Sequence, residues 1–122
     1  MPPHVRVDCL YMEADLLRGN LDGLVLAVLD DGPRHGYSLI EAIRDRSGGA
    51  VSVPAGSVYP AMRRLERAGL VTSDWSEYGG RRRRTYAITP PGREHLARQR
   101  RSWQEVTRVL GAFGVPDPQA PA

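Results

Sequence analysis

Two adjacent glycines, Gly79-Gly80, stand between two runs of β-formers, and no other feature restricts the fold as much. The first run, Leu70 to Tyr78, carries Leu70, Val71, Thr72, Trp75 and Tyr78. The second, Arg82 to Thr89, alternates, with Tyr86 and Ile88 on one face. Glycine reaches the positive φ of a tight turn without strain, so the pair predicts a hairpin. Every other periodic segment has a helical repeat, and only one hairpin is available. The expected class is therefore mainly α with a two-stranded β wing (α+β).

Three helices are expected ahead of the hairpin. In the first, Leu21, Leu24, Val25, Val28 and Leu29 fall at the spacing of one buried helix face. Asn20 is placed as its N-cap and Gly32-Pro33 as its stop. The second runs from about His35 to Arg46, with Tyr37, Leu39, Ile40 and Ile43 as its apolar side, and ends at Ser47-Gly48-Gly49. The third lies in PAGSVYPAMRRLERAGL, with Val58, Ala61, Met62 and Leu65 inward. Pro60 either bends its first turns or follows a start near Gly56.

After the hairpin, Thr89-Pro90 reads as an N-cap followed by a proline whose missing N–H costs nothing there. The helix it opens can reach Phe113. Leu96, Trp103 and Leu110 are seven apart, and Val106 and Phe113 form a second set offset by three. These are heptad positions, with Gln99 as a polar member. A stripe this long exceeds what a small body covers, so Leu96, Trp103, Val106, Leu110 and Phe113 are the expected interface of a homodimer.

Three helices, a hairpin and a long helix make a winged helix-turn-helix with a C-terminal dimerisation helix. The expected divisions are an N-terminal extension over 1–15, partly disordered, a DNA-binding domain over 16–89, the dimerisation helix over 90–113 and a disordered tail over 114–122. In such a fold the third helix enters the major groove of duplex DNA and the hairpin tip reaches the flanking backbone or minor groove.

Charge agrees with that geometry. The net charge is +3, and every one of the 17 basic residues is arginine. A genome-wide preference for arginine accounts for the type but not for the distribution. From Arg63 to Arg101, 11 arginines face Glu66, Asp74, Glu77 and Glu94, a local +7. The rest of the chain carries 6 arginines against 10 acids, a local −4. A basic half on a near-neutral chain suits a polyanion, and the planar guanidinium suits phosphate. Alternation along the second strand sends Arg82 and Arg84 to one face and Arg81 and Arg83 to the other. At least one of the four is expected to pair with Glu77 or Asp74.

The strings Gly32-Pro33-Arg34-His35-Gly36-Tyr37 and Gly56-Ser57-Val58-Tyr59-Pro60-Ala61-Met62-Arg63-Arg64-Leu65-Glu66 carry a resemblance. Gly69-Leu70, Arg84-Thr85-Tyr86 and Thr89-Pro90-Pro91-Gly92 extend it. Together they resemble the PadR-like transcriptional regulators, over about residues 17–89 and, by length and position, the final helix. The single C-terminal helix is similar to the smaller subfamily. The resemblance implies a bacterial, dimeric winged-helix repressor, released from DNA by a planar or lipophilic ligand. It also puts Ser57 and Tyr59 near DNA. The N-terminal extension and the dense Arg81–Arg84 run depart from the family pattern.

The candidate DNA contacts are thus Ser57, Tyr59, Pro60, Arg63 and Arg64 on the third helix and Arg81, Arg82 and Arg83 on the wing. Arg67 is expected to be peripheral. The candidate effector residues are Trp103, Gln99 and Leu17, with Trp103 either a core aromatic or a platform for a planar ligand. The operator is expected to be pseudo-palindromic, as two-fold symmetry requires. Two other readings compete: a constitutive or architectural DNA binder without an effector, and a winged helix that holds RNA or an acidic protein.

No enzymatic activity, cofactor or metal is expected. No nucleophile–base set, P-loop or dinucleotide glycine pattern occurs. His35-Gly36-Tyr37 reads as a helix cap and packing rather than catalysis. Asp30-Asp31 closes a helix with no second acid placed beside it. The lone Cys9, near His4, Asp8 and Glu13, reads as a spectator. The start of the sequence lacks a secretory pattern and no run is long enough to span a membrane, so a cytoplasmic location is expected.

Overall fold

The computed structural model describes residues 19–114. Helix α1 is helical over 19–29. It is followed by β1 (Arg34–His35), α2 (Gly36–Arg46), α3 (Ala55–Arg67), β2 (Val71–Tyr78), β3 (Arg81–Ile88) and α4 (Pro90–Gly111). The expected N-terminal extension and the tail beyond Gly114 lie outside the described residues.

Leu21, Val25, Leu26, Val28 and Leu29 of α1 are buried, and Leu24 packs against the same core. Asn20 is not the N-cap expected of it, because residue 19 is already helical. Its carboxamide is used across the fold instead, as described below.

The sheet has three antiparallel strands in the order β1-β3-β2, one more than expected. The added strand is two residues long: Arg34 lies opposite Tyr86 and His35 opposite Thr85. Two residues carry no periodicity, so nothing local announces them. His35 then caps α2, its Nδ1 accepting from the Ser38 N–H at 3.3 Å. Tyr37 does not join the core and is 64% exposed. The buried side of α2 is Gly36, Leu39, Ala42 and Ile43, and the second residue of the helix points away from it.

Helix α3 runs unbroken through Pro60, and Val58, Ala61, Met62 and Leu65 are buried as expected. It ends in a left-handed glycine, Gly69 at φ +76°. The Leu70 N–H bonds back to the Leu65 carbonyl and the Gly69 N–H to that of Glu66, satisfying two orphan acceptors. The hairpin register runs from Val71 opposite Ile88 to Tyr78 opposite Arg81. Its turn is Gly79-Gly80, with φ +60° and +78°, the mirror-image turn that matches strand twist.

Helix α4 is anchored at two points. At its start, the Thr89 hydroxyl donates to the Gly69 carbonyl at 2.7 Å and accepts from the Gly92 N–H at 3.1 Å. Gly92 lies so close to the Leu70 carbonyl that no Cβ fits. One turn later Leu96 is 1% exposed, in the common core. The second point is the crossing with α1. There Asn20 Oδ1 accepts from Trp103 Nε1 at 2.8 Å and from Gln99 Nε2 at 3.1 Å. Gly23 makes the approach possible, since a Cβ there would lie 2.7 Å from Gln99 Cγ and 2.8 Å from Trp103 Cζ2. At the other end of α1, Asp30 lies 3.5 Å from both Arg93 and Arg100.

Gly23→Val is therefore expected to destabilise the fold by about 1–3 kcal/mol through overpacking. In a Trp75→Phe background it should also shift Trp103 emission to the red as the indole leaves its seat. Denaturant melts and emission spectra check this, and an unchanged spectrum would show that the crossing does not need the glycine.

Candidate nucleic-acid interface

The face of α3 opposite its buried stripe follows from the helical repeat. Gly56, Pro60, Arg63 and Arg67 form an outward row, and all four are exposed. Arg67, expected at the periphery, shares this row with Arg63. Neither arginine has an ion-pair or hydrogen-bond partner among the described residues.

The two flanks of the row are occupied. On the α1 side, Arg64 NH2 lies 3.0 Å from Asp22 Oδ1, so this expected contact is already paired. Ser57 lies on the same flank and is half-buried. On the wing side, Tyr59 packs its ring against Gly36, where a Cβ would stand 2.5 Å from Tyr59 Cε1. Glu66 accepts from the Ser73 hydroxyl at 2.6 Å and lies 3.7 Å from Arg84.

The wing divides its arginines as alternation predicts. Arg82 and Arg84 lie over the Trp75 ring, their guanidinium carbons 5.0 Å and 5.3 Å from its centroid. Arg83 sits on the other face, 3.2 Å from His35 Nε2. Arg84 also donates from Nε to Ser73 Oγ. The acid that meets the run is Glu66 of α3, rather than Glu77 or Asp74. Glu77 is the cross-strand neighbour of Arg82, yet Arg82 lies over the diagonal neighbour Trp75, whose broad face attracts a cation. Arg81, at the turn, has no ion-pair or hydrogen-bond partner among the described residues and is exposed.

Between α3 and this face of the wing lies a cleft of about 310 Å³, bordered by Tyr37, Tyr59, Trp75, Arg82 and Arg84. Tyr37 and Trp75, 64% and 57% exposed, were not among the expected site residues. Both look like core aromatics in a periodicity count, and only their exposure sets them apart. Tyr86 closes the floor, where burial raises its phenol above the ordinary value while Arg84 pulls it down. The arrangement offers a row of free guanidinium groups beside aromatic hydroxyls and a second set of guanidinium groups held over an indole ring.

The remaining expected residues are elsewhere. Leu96, expected at the dimer seam, is covered by its own subunit. Trp103 is half-buried on α1. Val106, Leu110 and Phe113 are exposed, and Val109 joins them to make a stripe at i, i+3, i+4 and i+7. Of the effector candidates, Gln99 and Trp103 share the Asn20 oxygen, and Leu17 lies outside the described residues. So do Cys9, His4, Asp8 and Glu13. Among the described residues no group of three or more His, Cys, Asp or Glu is arranged to hold a metal. Asp30 and Asp31 pair with Arg93, Arg100 and Arg46. No described helix is long and apolar enough to cross a membrane.

Comparison with known proteins gives a consistent answer. Residues 25–98 match the model of the transcriptional regulator PadR-like family. The chain is 42% identical over 82 residues to transcriptional regulator Rv3488 of Mycobacterium tuberculosis, covering 66% of this chain and 74% of that one. Its fold is similar to the crystal structure of a PadR family transcriptional regulator from Eggerthella lenta, with TM-score 0.75 and 29% identity over 96% of this chain and 100% of the other. A transcriptional regulator from Clostridium thermocellum is similar at TM-score 0.76 and 29% identity, over 83% and 96% of the two chains. With the winged fold and the matched segment spanning α1 to α4, the chain belongs to the PadR-like family of transcriptional regulators.

Proposed function

We propose that the protein is a homodimer that binds pseudo-palindromic duplex DNA sequence-specifically, represses transcription and is released by a small planar or lipophilic effector. The observation that carries the DNA reading is the outward row of α3. Arg63 and Arg67 stand free on it, with the wing arginines alongside. An arginine near the middle of a recognition helix can donate to guanine O6 and N7. Tyr59 and Ser57 lie nearer the helix start, where hydroxyls meet phosphate, and Pro60 offers its ring as an apolar contact beside them. Arg81, Arg82 and Arg83 serve the flanking backbone, and Tyr37 donates its hydroxyl from across the cleft.

Support for the dimer comes from the far end of α4. Val106, Val109, Leu110 and Phe113 form an apolar stripe that the described residues of their own subunit leave exposed, Phe113 at 84%. A second copy of the same helix covers such a stripe. Support for an effector comes from a cleft of about 300 Å³ between α1, the end of α2 and α4. Leu24, Ala27, Val28, Ile43, Val51 and Trp103 line it, with Arg46 and Arg100 among its edges. A ligand there presses on the indole that ties α4 to α1, and so acts on the spacing of the two reading helices. It releases DNA to the extent that it prefers the non-binding spacing.

Footprinting on DNA upstream of the protein's own gene tests the reading as a whole. Arg63→Ala should relax discrimination at particular base pairs, by about 1–3 kcal/mol each. Arg81→Ala should weaken all duplexes alike and flatten the salt dependence by about 0.9 per phosphate lost. The reverse pattern would exchange the two roles.

Leu110→Glu should convert the dimer to a monomer in light scattering at micromolar concentration. A monomeric parent, or a variant that stays dimeric, would refute the seam.

In Trp75→Phe protein, a compound that frees the operator should alter Trp103 emission. Release with unchanged emission would put the effector site elsewhere, and the absence of any releasing compound would favour a constitutive binder.

A further inference from the structure

We infer that Asp22 is a positioning residue for the recognition helix: it holds Arg64 away from phosphate and so limits binding to DNA of arbitrary sequence. The inference rests on the DNA reading above and adds a residue that would not itself touch DNA. Arg63, Arg64 and Arg67 are neighbours on one helix, but their surroundings differ in kind. Arg63 and Arg67 stand on the outward row without partners among the described residues, whereas Arg64 reaches sideways to α1, its NH2 3.0 Å from Asp22 Oδ1. The Asp22 backbone is well fixed. Leu21 on one side is buried, Gly23 on the other lies under Trp103, and Asn20 is bonded to α4.

The pair is exposed, with side chains 54% and 38% accessible, so it is weak enough to exchange with another anion. A phosphate that takes Arg64 must, however, leave the Asp22 carboxylate unpaired beside a polyanion. That repulsion opposes part of the gain from the new contact. On a matched site the outward row supplies the added contacts while Arg64 stays on Asp22, so the penalty does not arise there. On an arbitrary sequence, where phosphate neutralisation supplies nearly all the affinity, the protein must either forgo Arg64 or meet the penalty. The carboxylate thereby widens the ratio between specific and non-specific binding, the quantity that matters against a genome of competing sites.

The test uses a mixed-sequence duplex of about 30 base pairs, long enough for two half-sites, titrated across a salt series. Asp22→Asn keeps the side chain's shape and removes its charge. It should bind this duplex roughly threefold or more tighter than the parent, with a slope of log K on log salt steeper by about 0.9 for each Arg64 released. Asp22→Glu keeps the charge and should stay at the parental affinity and slope. In an Arg64→Gln background, Asp22→Asn should leave the salt slope unchanged and raise affinity by less than it does in the parent, since only the general repulsion of the carboxylate is then removed. The same gain in both backgrounds would overturn the inference, because the carboxylate would then act only by general repulsion. No gain in the parental background would overturn it as well. If the parent fails to bind any duplex, the DNA reading itself falls and the inference with it.

Discussion

The attachment of α4 at two points sets the positions of everything else. At Thr89 the helix is pinned to the turn after α3, and at Asn20 it is pinned to α1. One carboxamide oxygen serves two donors there, using both of its lone pairs. Trp103 and Gln99 are four residues apart, on one face of α4, so a single acceptor reaches both. The site is half-buried, which limits competition from water and raises the cost of leaving either N–H unpaired. Because the first half of α4 is spent on the winged body, only its second half has an apolar stripe to offer. The boundary between body and appendage falls within the helix, near Trp103, rather than at its first residue.

Helix α3 shows a similar division of labour. Its inward face builds the core, its flanks lean on α1 and the wing, and the arginines of the row between the flanks have no side-chain partner among the described residues. Of the arginines near it, Arg64 and Arg84 are engaged with acids, while Arg82 and Arg84 are spread over Trp75. A guanidinium laid on an indole keeps its edge N–H groups available while its plane is desolvated on one side. Concentrating like charges at Arg81–Arg84 is thus made tolerable by giving the members of the run different partners: an aromatic face, an acid, and a histidine nitrogen.

Much of this was legible in the chain, for physical reasons that can be named. The buried stripe of α3, the Gly79-Gly80 turn and the Thr89 cap each depend on residues adjacent in sequence or one helical turn apart. Short-range rules apply there without knowledge of the fold. The misplaced residues depend on partners far away. Asn20 looks like a cap because a carboxamide ahead of an apolar run usually is one, yet its donors lie 79 and 83 residues on. The strand β1 exists only because β3 lies beside it. Leu96 satisfies a heptad equally well whether its cover comes from the same subunit or another, since periodicity reports that a face is buried and not what buries it. Tyr37 fails for the opposite reason: an aromatic at helical spacing counts as core until its surroundings are known. At the candidate interface the arginine positions were readable, but the partners that separate Arg63 from Arg64 were not.

The part of α4 beyond its second anchor behaves as a lever. From Trp103 to Gly111 the helix projects roughly 12 Å at 1.5 Å per residue, with its fulcrum at Gly23. A tilt of about 5° at that fulcrum carries the tip by roughly 1 Å, a shift that close-packed side chains do not readily absorb. Conversely, whatever grips the tip turns the winged body through an angle set by the same arm length. The reach of the overhang therefore fixes a gear ratio between events at the far end of α4 and the orientation of α3. Lengthening or shortening that overhang by one turn would change the ratio without altering any residue on the outward row of α3.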